Sequence, residues 1–231
     1  MSLPDAAMIF AAGFGTRMRE LTRDTAKPLL EVAGRSLLDR ALDRVAGAGI
    51  DRIVVNAHHH ADKVAAAIGN RAHLSREEEI LETGGGLALA LPLLDADPVL
   101  TVNPDAVWAD HADPLAALSA AWAERMEACL LLVPRDQCRA HAGPGDFFLA
   151  EDKRLVRRGD RDSAPYVYSG WQILRTERIA RIGASPYSLN RVWDEMLAAG
   201  TLHGTVCDAP WVDVGTPEGI GVAEAMLAEA C

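Results

Sequence analysis

The sequence contains no apolar run that approaches the roughly 18 residues needed to cross a membrane. Its opening residues, Met-Ser-Leu-Pro-Asp, lack the basic and apolar regions of a signal peptide. A hydrophobic fraction of 49% and a charged fraction of 24% are ordinary for a globular protein. We therefore expect a cytoplasmic protein that has no membrane partner.

Basic residues are also scarce. The chain has 23 Lys and Arg against 33 Asp and Glu, a formal net charge of −10, whereas nucleic acids bind basic surfaces. We therefore expect no nucleic-acid partner, and any phosphate site must be locally basic. The cysteines show no CxxC spacing, which argues against a zinc cluster and a disulfide framework, so we expect them to be reduced. They are Cys129, Cys138, Cys207 and Cys231.

Several common catalytic motifs are missing. A dinucleotide-binding fingerprint needs a third glycine where Met18 stands, and a Walker loop needs Gly-Lys-Ser/Thr, which the chain lacks. There is no Gly-x-Ser-x-Gly elbow and no catalytic-cysteine signature. The run His58-His59-His60 has no further ligand pattern, so we interpret it as a polar loop between a strand and a helix.

What the chain does have is a glycine-rich turn after an apolar strand. The strand covers residues 6–12, and the turn runs from Gly13 to Met18. Small residues there let the backbone approach a ligand, and their N–H groups can cradle anionic oxygens. Arg17 lies inside the turn and Lys27 follows ten residues later, so a planar guanidinium and a compact ammonium can reach one polyphosphate. The pattern predicts a nucleotide site.

Apolar strands and amphipathic helices alternate along much of the chain. A helix is predicted from Ser36, a buried strand over 52–56 and a second helix over 61–68. This alternation predicts an α/β fold, a Rossmann-like three-layer α/β/α sandwich with a mostly parallel central sheet. The acidic run Glu77-Glu78-Glu79 is expected at a solvated edge. The length suits a single domain over residues 1–231.

One region breaks the alternation. Residues from about 134 to 170 are rich in charges and glycines, with a hairpin predicted about Glu151-Asp152-Lys153. We predict a small antiparallel insertion over the carboxyl edge of the sheet, in which Asp146 faces a substrate. Ser169-Gly170 interrupts the strand that follows, and a bare backbone there can approach a sugar.

Two aspartates stand next to predicted strands. Asp105 follows the apolar strand over 98–102, and Asp213 stands just before the helix that Thr216 and Pro217 begin. Open α/β sheets bind ligands at the carboxyl ends of their strands, and hard carboxylate oxygens suit Mg²⁺. We predict that both residues are ligands of a magnesium ion.

A second glycine-rich stretch precedes an apolar helix. It reads Glu82-Thr83-Gly84-Gly85-Gly86, and the helix follows over 87–94. The glycines can bring the backbone close to a flat ring, and Thr83 is placed to cap the helix. A ligand with a flat ring therefore fits this loop.

The pattern Ala11-Ala12-Gly13-x-Gly15-Thr16-Arg17-Met18, followed by Lys27-Pro28-Leu29, closely resembles the signature of the sugar-1-phosphate nucleotidyltransferases. Further motifs make the chain most similar to the short bacterial N-acetylmuramate-1-phosphate uridylyltransferases of cell-wall recycling. They are Glu82-Thr83-Gly84-Gly85-Gly86, Asn103-x-Asp105, Gly145-Asp146-Phe147, Ser169-Gly170 and Trp211-Val212-Asp213-Val214-Gly215-Thr216. The resemblance covers almost the whole chain.

The resemblance implies a magnesium enzyme that joins UTP to a sugar 1-phosphate and releases pyrophosphate, as a monomer or weak homodimer. It assigns catalysis to Arg17, Lys27 and Asp105, and the metal to Asp105 and Asp213. It assigns the sugar phosphate to Asn103, Asp146, Ser169 and Gly170. It assigns the nucleotide to Ala11, Ala12, Gly13, Gly15, Thr16, Arg17, Lys27, Glu82, Thr83, Gly84 and Gly85.

Two departures from the family pattern bear on the sugar. Pro104 stands where many members have glycine, and the Glu-Lys-Pro segment of hexose-specific relatives is absent before Ser169. The alternatives are a mannose-1-phosphate guanylyltransferase, a related heptose or glucose enzyme, and a catalytically silent nucleotide-sugar sensor. Retention of all the charged residues of the motif favours an enzyme over a sensor.

Overall fold

A large mixed sheet runs through the computed structural model, which describes residues 3–229 and so leaves Cys231 outside the described part. The strands are β1 (Ala6–Phe10), β2 (Glu31–Val32), β3 (Arg35–Ser36), β4 (Arg52–Ala57), β5 (His73–Arg76), β6 (Val99–Val102), β7 (Ala106–Trp108), β8 (Ala128–Pro134), β9 (Cys138–Arg139), β10 (Phe147–Leu149), β11 (Leu155–Arg157), β12 (Tyr166–Leu174), β13 (Leu202–Val206) and β14 (Trp211–Asp213). The helices are α1 (Leu37–Gly47), α2 (Ala61–Ile68), α3 (Glu82–Leu94), α4 (Pro114–Ala121), α5 (Glu177–Ile182), α6 (Leu189–Ala199) and α7 (Pro217–Ala228).

The central sheet has the order β5-β4-β1-β6-β12-β8-β13. Strand β1 is parallel to both neighbours, β4 is parallel to β5, and β8 is parallel to β13. Only β12 runs against its neighbours within this order, since it is antiparallel to β6 and β8. The predicted mostly parallel α/β fold is confirmed. The carboxyl ends of β1, β4 and β6 therefore meet at one edge, where such sheets bind ligands.

The sheet is covered on both faces, which explains the unbroken apolar run in β1. Ile9 packs with the core formed by α1, α2 and α4, whereas Met8 packs with the core formed by α3, α5 and α6. Successive side chains of a strand point to opposite faces, so a strand buried on both sides is apolar at every position. The layers are helix, sheet and helix. Among the described residues, no helix combines the length and apolar character that a bilayer crossing demands.

Side chains cap the start of two helices, whereas the threonine at the start of a third does not act in this way. The Ser36 side chain accepts a hydrogen bond from the Asp39 N–H at the start of α1, and Asp113 accepts one from Ala116 at the start of α4. Both satisfy a helix N–H that has no partner within its helix. Thr216 occupies the N-cap position of α7, but its side chain accepts no helix N–H there.

The region from 134 to 170 divides between two sheets. The hairpin about Glu151-Asp152-Lys153 is present, with β10 antiparallel to β11. It extends the central sheet through the pairing of Phe147 with Tyr166, which lies beyond the carboxyl end of β6. Strand β9 instead joins a small second sheet of order β7-β14-β9. That second sheet connects segments distant in the chain and, as described below, carries both predicted metal ligands at one end.

Candidate active site

A cavity of about 330 Å³ opens at the carboxyl ends of β1, β4 and β6. Its wall includes most residues predicted to bind the nucleotide, together with Asn103 and Asp105. Those nucleotide residues are Ala11, Ala12, Gly13, Gly15, Thr16, Arg17, Lys27, Glu82 and Thr83. The two glycine-rich stretches are separated by about 70 residues of chain, and the structure brings residues of both to one cavity.

The turn after β1 has a conformation that only glycine supports without strain. Gly15 has φ = 62°, in the left-handed region, and a Cβ there would lie 2.8 Å from the Cβ of Lys27. The chain then enters a 3₁₀ helix, Thr16–Thr22, whose Met18 is fully buried against α7 and β14. Burial of Met18 anchors the segment that carries Arg17, so the guanidinium projects from a fixed support.

Lys27 and Asp105 form a largely buried ion pair. The Lys27 Nζ lies 2.5 Å from Asp105 Oδ2, and the two side chains are only 14% and 25% exposed. Loss of one member of such a pair leaves an uncompensated charge in a partly desolvated site. Lys27 begins a short 3₁₀ helix with Pro28 in its first turn, which fixes the backbone direction at the lysine.

Asp105 and Asp213 come together through the small second sheet. Asp213 of β14 lies opposite Ala106 of β7, and the Val214 N–H donates to the Asp105 carbonyl at 3.0 Å. Burial, followed by the negative charge of Asp105, raises the pKa of Asp213, while the cations Lys27 and Arg17 oppose that rise. Two carboxylates in this relation repel each other. They are hard oxygen donors of the kind that bind divalent cations.

Gly215 makes room for the charged groups and was not among the predicted site residues. A Cβ at this position would lie 3.0 Å from Arg17 Nη1 and 3.2 Å from Asp213 Oδ1. Either distance is tighter than an ordinary contact, so a larger residue would displace the guanidinium or the carboxylate. The signal for it was its position just after Val212-Asp213-Val214.

Pro104, a departure from the family pattern, fits the local turn. The Ala106 N–H donates to the Asn103 carbonyl at 3.3 Å, which makes Asn103 to Ala106 a four-residue turn with proline second. Proline is favoured at that position because its ring sets the required φ. The residue therefore stiffens the link between Asn103 and Asp105.

A second cavity of about 290 Å³ adjoins the first and shares Phe10, Thr83 and Asn103 with it. Asp146 lies in this second cavity, where its Oδ2 accepts a hydrogen bond from the Tyr168 N–H at 2.9 Å. The remaining wall was not anticipated, because it comes from β11, β12 and α6 and carries no contiguous motif. The residues missed are Arg157, Tyr168, Ser188, Asn190 and Trp193.

Ser169 and Gly170 line neither cavity. The Ser169 side chain is buried and accepts from the Trp171 N–H at 3.3 Å. Gly170 has φ = 89°, its carbonyl accepts from the Asn103 N–H, and a Cβ there would lie 2.8 Å from the Asn103 Cβ. Its bare backbone thus faces Asn103, so glycine is needed at this position to seat Asn103 at the junction of the two cavities.

The glycines after Thr83 pack against the protein itself. Gly84 and Gly85 are buried in the first turn of α3, and a Cβ on either would overlap the Tyr187 ring or the Ser185 carbonyl. The prediction that Thr83 caps α3 is wrong: Leu81 occupies the N-cap position, and Thr83 Oγ1 accepts from the Leu189 N–H at 3.0 Å. Thr83 therefore ties the start of α3 to the start of α6.

The histidine run is a loop before α2, as predicted, and it supports the glycine-rich turn. The Phe14 ring makes edge contacts with His58 and His59, with centroids 5.8 and 5.5 Å apart. The ring of His60 lies 3.1 Å from the Arg23 carbonyl. Within residues 3–229, no group of three or more His, Cys, Asp or Glu side chains is arranged to hold a metal ion.

The prediction that the acidic run Glu77-Glu78-Glu79 lies at a solvated edge is wrong for its first residue. Glu78 and Glu79 are exposed, but Glu77 is 3% exposed rather than part of a solvated edge. Its carboxylate accepts hydrogen bonds from the Asn56 side chain and the Leu81 N–H. Because both donors are inside the protein, the segment folds inward at Glu77 and returns to solvent at Glu78.

Known proteins resemble this chain in sequence and in architecture. The MobA-like NTP transferase domain family matches residues 7–157. The chain is 40% identical over 238 residues to the N-acetylmuramate alpha-1-phosphate uridylyltransferase of Caulobacter vibrioides, with 98% of each chain covered. It is 37% identical over 220 residues to the protein of the same name from Neisseria meningitidis, covering 91% of this chain and 93% of that one.

The fold likeness extends to a solved structure. The inositol-1-phosphate CTP transferase from T. maritima matches with a TM-score of 0.76 at 19% identity, covering 98% of this chain and 96% of that one. A family match over more than half of the chain and relatives aligned along nearly all of it lead to one assignment. The chain belongs to the MobA-like NTP transferase domain family, and it is a sugar-1-phosphate nucleotidyltransferase.

Proposed function

We propose that the protein transfers a uridylyl group from UTP to N-acetylmuramate 1-phosphate in a magnesium-dependent reaction that releases pyrophosphate. The reaction would serve cell-wall recycling in the cytoplasm, in a single-domain monomer or weak homodimer. The observation that carries the proposal is the pair of adjoining cavities, which meet at Asn103. The two uridylyltransferase relatives, at 40% and 37% identity, support the choice of base and sugar.

The nucleotide is proposed to occupy the larger cavity. The backbone N–H groups of Gly13, Gly15 and Thr16 can then hold phosphate oxygens, as glycine-rich turns do. Arg17 and Lys27 supply positive charge from two sides, which offsets the chain's net charge of −10 at this one place. Glu82 and Thr83 form the part of the wall against which the base would lie.

The carboxylates of Asp105 and Asp213 fit a magnesium ion. Both are hard donors. Burial and then the negative charge of Asp105 raise the pKa of Asp213, and a divalent cation between the two carboxylates would offset both effects. A bound Mg²⁺ would neutralise charge on the α-phosphate during transfer. Lys27 pairs with Asp105. Its ammonium group therefore lies beside the proposed metal site, where it can contact the phosphates.

The sugar 1-phosphate is proposed to occupy the smaller cavity, with Asn103 and Asp146 as its polar contacts. Its phosphate oxygen attacks the α-phosphorus of UTP, a new P–O bond forms, and the bond to the leaving pyrophosphate breaks. No protein nucleophile is needed. What the chain contributes is alignment of the two substrates, which removes much of the entropic barrier, and charge from Arg17 on the leaving group.

A substrate panel tests the proposal. UTP, GTP, CTP, ATP and dTTP are each paired with N-acetylmuramate 1-phosphate, mannose 1-phosphate and glucose 1-phosphate, with pyrophosphate release as the readout. We expect the highest kcat/KM for UTP with N-acetylmuramate 1-phosphate, and loss of turnover with EDTA that Mg²⁺ restores. A higher kcat/KM for GTP with mannose 1-phosphate would overturn the assignment of base and sugar.

A further inference from the structure

A buried carboxylate that takes no part in the proposed chemistry lies behind the nucleotide cavity. Glu77 is 3% exposed, and both of its oxygens are occupied within the protein. Oε1 accepts from Asn56 Nδ2 at 2.6 Å, and Oε2 accepts from the Leu81 N–H at 3.0 Å. Burial of a carboxylate is costly unless it is hydrogen-bonded, so these two bonds are what permits Glu77 to lie here.

Asn56 links this carboxylate to one wall of the cavity. Its Oδ1 accepts from the Ala11 N–H at 2.7 Å, and both Asn56 and Ala11 line the cavity. Ala11 is the first residue after β1, where the glycine-rich turn begins. Because the amide oxygen faces an N–H and the amide nitrogen faces a carboxylate, only one orientation of the Asn56 side chain satisfies both neighbours.

Leu81 links the same carboxylate to another wall. It is the N-cap residue of α3, and the two residues that follow it, Glu82 and Thr83, line the cavity. Glu82 has φ = 56°, a left-handed conformation that is uncommon outside glycine and asparagine. A hydrogen bond to the preceding N–H helps to hold the chain in that conformation. One carboxylate therefore joins two walls that come from distant parts of the sequence.

The third glycine of the run 84–86 leaves space for this network. A Cβ on Gly86 would lie 2.5 Å from Glu77 Oε1 and 2.8 Å from Asn56 Nδ2. Both distances are shorter than a carbon atom tolerates, so any side chain at this position would push the carboxylate away from the amide. Gly86 thus supports the network without touching the cavity.

We propose that Glu77 is a positioning residue for nucleotide binding. Through Asn56 and Leu81 it sets the distance between the turn after β1 and the start of α3, and so the width of the nucleotide cavity. The inference rests on the proposed function only in assigning that cavity to the nucleotide. It is independent of which base and which sugar the enzyme prefers.

Glu77→Gln tests this role with a change of one atom. The new amide has one acceptor oxygen for two donors, so either Asn56 or Leu81 loses its partner and an N–H faces an N–H. We expect the Kd for the nucleotide that wild type uses to rise about tenfold, as measured by calorimetry with the nucleotide and Mg²⁺. We expect kcat to change less than about threefold. We expect the KM for the sugar 1-phosphate to change less than about twofold, a change on the order of measurement error.

Glu78→Gln is the matched control, because it removes the same charge from the exposed neighbour and should leave the Kd unchanged. A Glu77→Gln variant whose nucleotide Kd stays within about twofold of wild type, or whose two substrate KM values rise equally, overturns the inference. Failure of the proposed function would appear instead in the wild-type panel. The two failures are therefore distinct.

A double variant supplies the rescue. In Asn56→Asp with Glu77→Gln, the new carboxylate at position 56 accepts from the Ala11 N–H and from the new amide at position 77, whose oxygen accepts from the Leu81 N–H. Every hydrogen bond is restored with the charge moved from position 77 to position 56, so we expect the nucleotide Kd to return most of the way to the wild-type value. A double variant that binds no better than Glu77→Gln alone would show that these hydrogen bonds do not set the cavity.

Discussion

The two adjoining cavities are built in different ways. The cavity proposed for the nucleotide takes much of its wall from one local segment, residues 11–17, with Lys27 close behind in the chain. The cavity proposed for the sugar 1-phosphate takes much of its wall from β10, β11, β12 and α6. Its aromatic contact, with the ring centroids of Tyr168 and Trp193 4.9 Å apart, exists only in the folded chain. The proposed phosphate site can therefore be recognised as a motif, whereas the proposed sugar site is formed only by the fold.

The cavities also differ in how their charges are held. At the nucleotide side, Lys27, Arg17, Asp105 and Asp213 act on one another directly. At the sugar side, Asp146 accepts a backbone N–H and Arg157 pairs with Asp194 at 2.7 Å, so each charge has its own partner. We expect changes to these four charged groups on the nucleotide side to reduce the rate of the chemical step, and changes on the sugar side to reduce affinity for the sugar 1-phosphate.

The largest effect is expected from the carboxylates. Asp105→Asn or Asp213→Asn removes a hard anionic ligand at the point where phosphate charge must be neutralised, so kcat should fall on the order of 10³-fold. Steady-state rates at saturating Mg²⁺, with circular dichroism to confirm folding, measure this. Asp208→Asn is the control, because Asp208 is an exposed aspartate in the loop between β13 and β14. Near-normal turnover in either variant would remove that residue from the metal site.

Arg17→Ala should have the next largest effect. Its guanidinium is expected to follow charge that develops on the leaving pyrophosphate, so kcat should fall about 10²-fold while the nucleotide Kd changes much less. Arg23→Ala is the matched control, because that arginine pairs with Glu20 at the exposed surface of the same segment. A raised KM with an unchanged kcat would instead make Arg17 a residue that binds the ground state.

A smaller effect, confined to one substrate, is expected on the sugar side. Arg157→Ala removes a guanidinium that lines the cavity and could pair with the phosphate or with the lactyl carboxylate of N-acetylmuramate. The KM for the sugar 1-phosphate should rise about tenfold, with the KM for the nucleotide unchanged. Arg161→Ala is the control, because the Arg161 guanidinium stacks on Phe148 outside the cavity. Equal loss for both substrates would show that the cavities are not separate in function.

Local chemistry explains why much of the fold was predictable. Ser36 and Asp113 cap helices with their own side chains, and the apolar run of β1 follows from burial on both faces. The position of Asp105 after the carboxyl end of β6 also agrees with where ligands lie in open sheets, whereas its adjacency to Asp213 depends on the pairing of β7 with β14. These features depend on residues a few positions apart, or on a rule that holds for every parallel sheet.

Features that depend on a distant partner were not predictable. The burial of Glu77 requires Asn56, and the position of Thr83 depends on the Leu189 N–H. The need for glycine at position 170 comes from its close approach to Asn103. In each case the sequence shows a polar or small residue whose local environment suggests solvent, a cap or a substrate, while a contact from another part of the chain decides its role.

The smallest expected effect is on stability, and it has the opposite sign to the effect on activity. The folded protein raises the pKa of Asp213 above its ordinary value of 3.8, through burial and then the charge of Asp105. An acid with a raised pKa opposes folding when it is ionised, and this cost vanishes as the pH falls below the ordinary value. Without metal, Asp213→Asn should therefore melt at a higher temperature than wild type at pH 7, and the difference should shrink as the pH falls through the raised pKa. Asp146→Asn is the control, since its carboxylate already accepts a backbone N–H. A lower melting temperature for Asp213→Asn at pH 7 in EDTA would mean that its ion pairs outweigh its burial, and that the nucleotide side carries no stored repulsion for a cation to relieve.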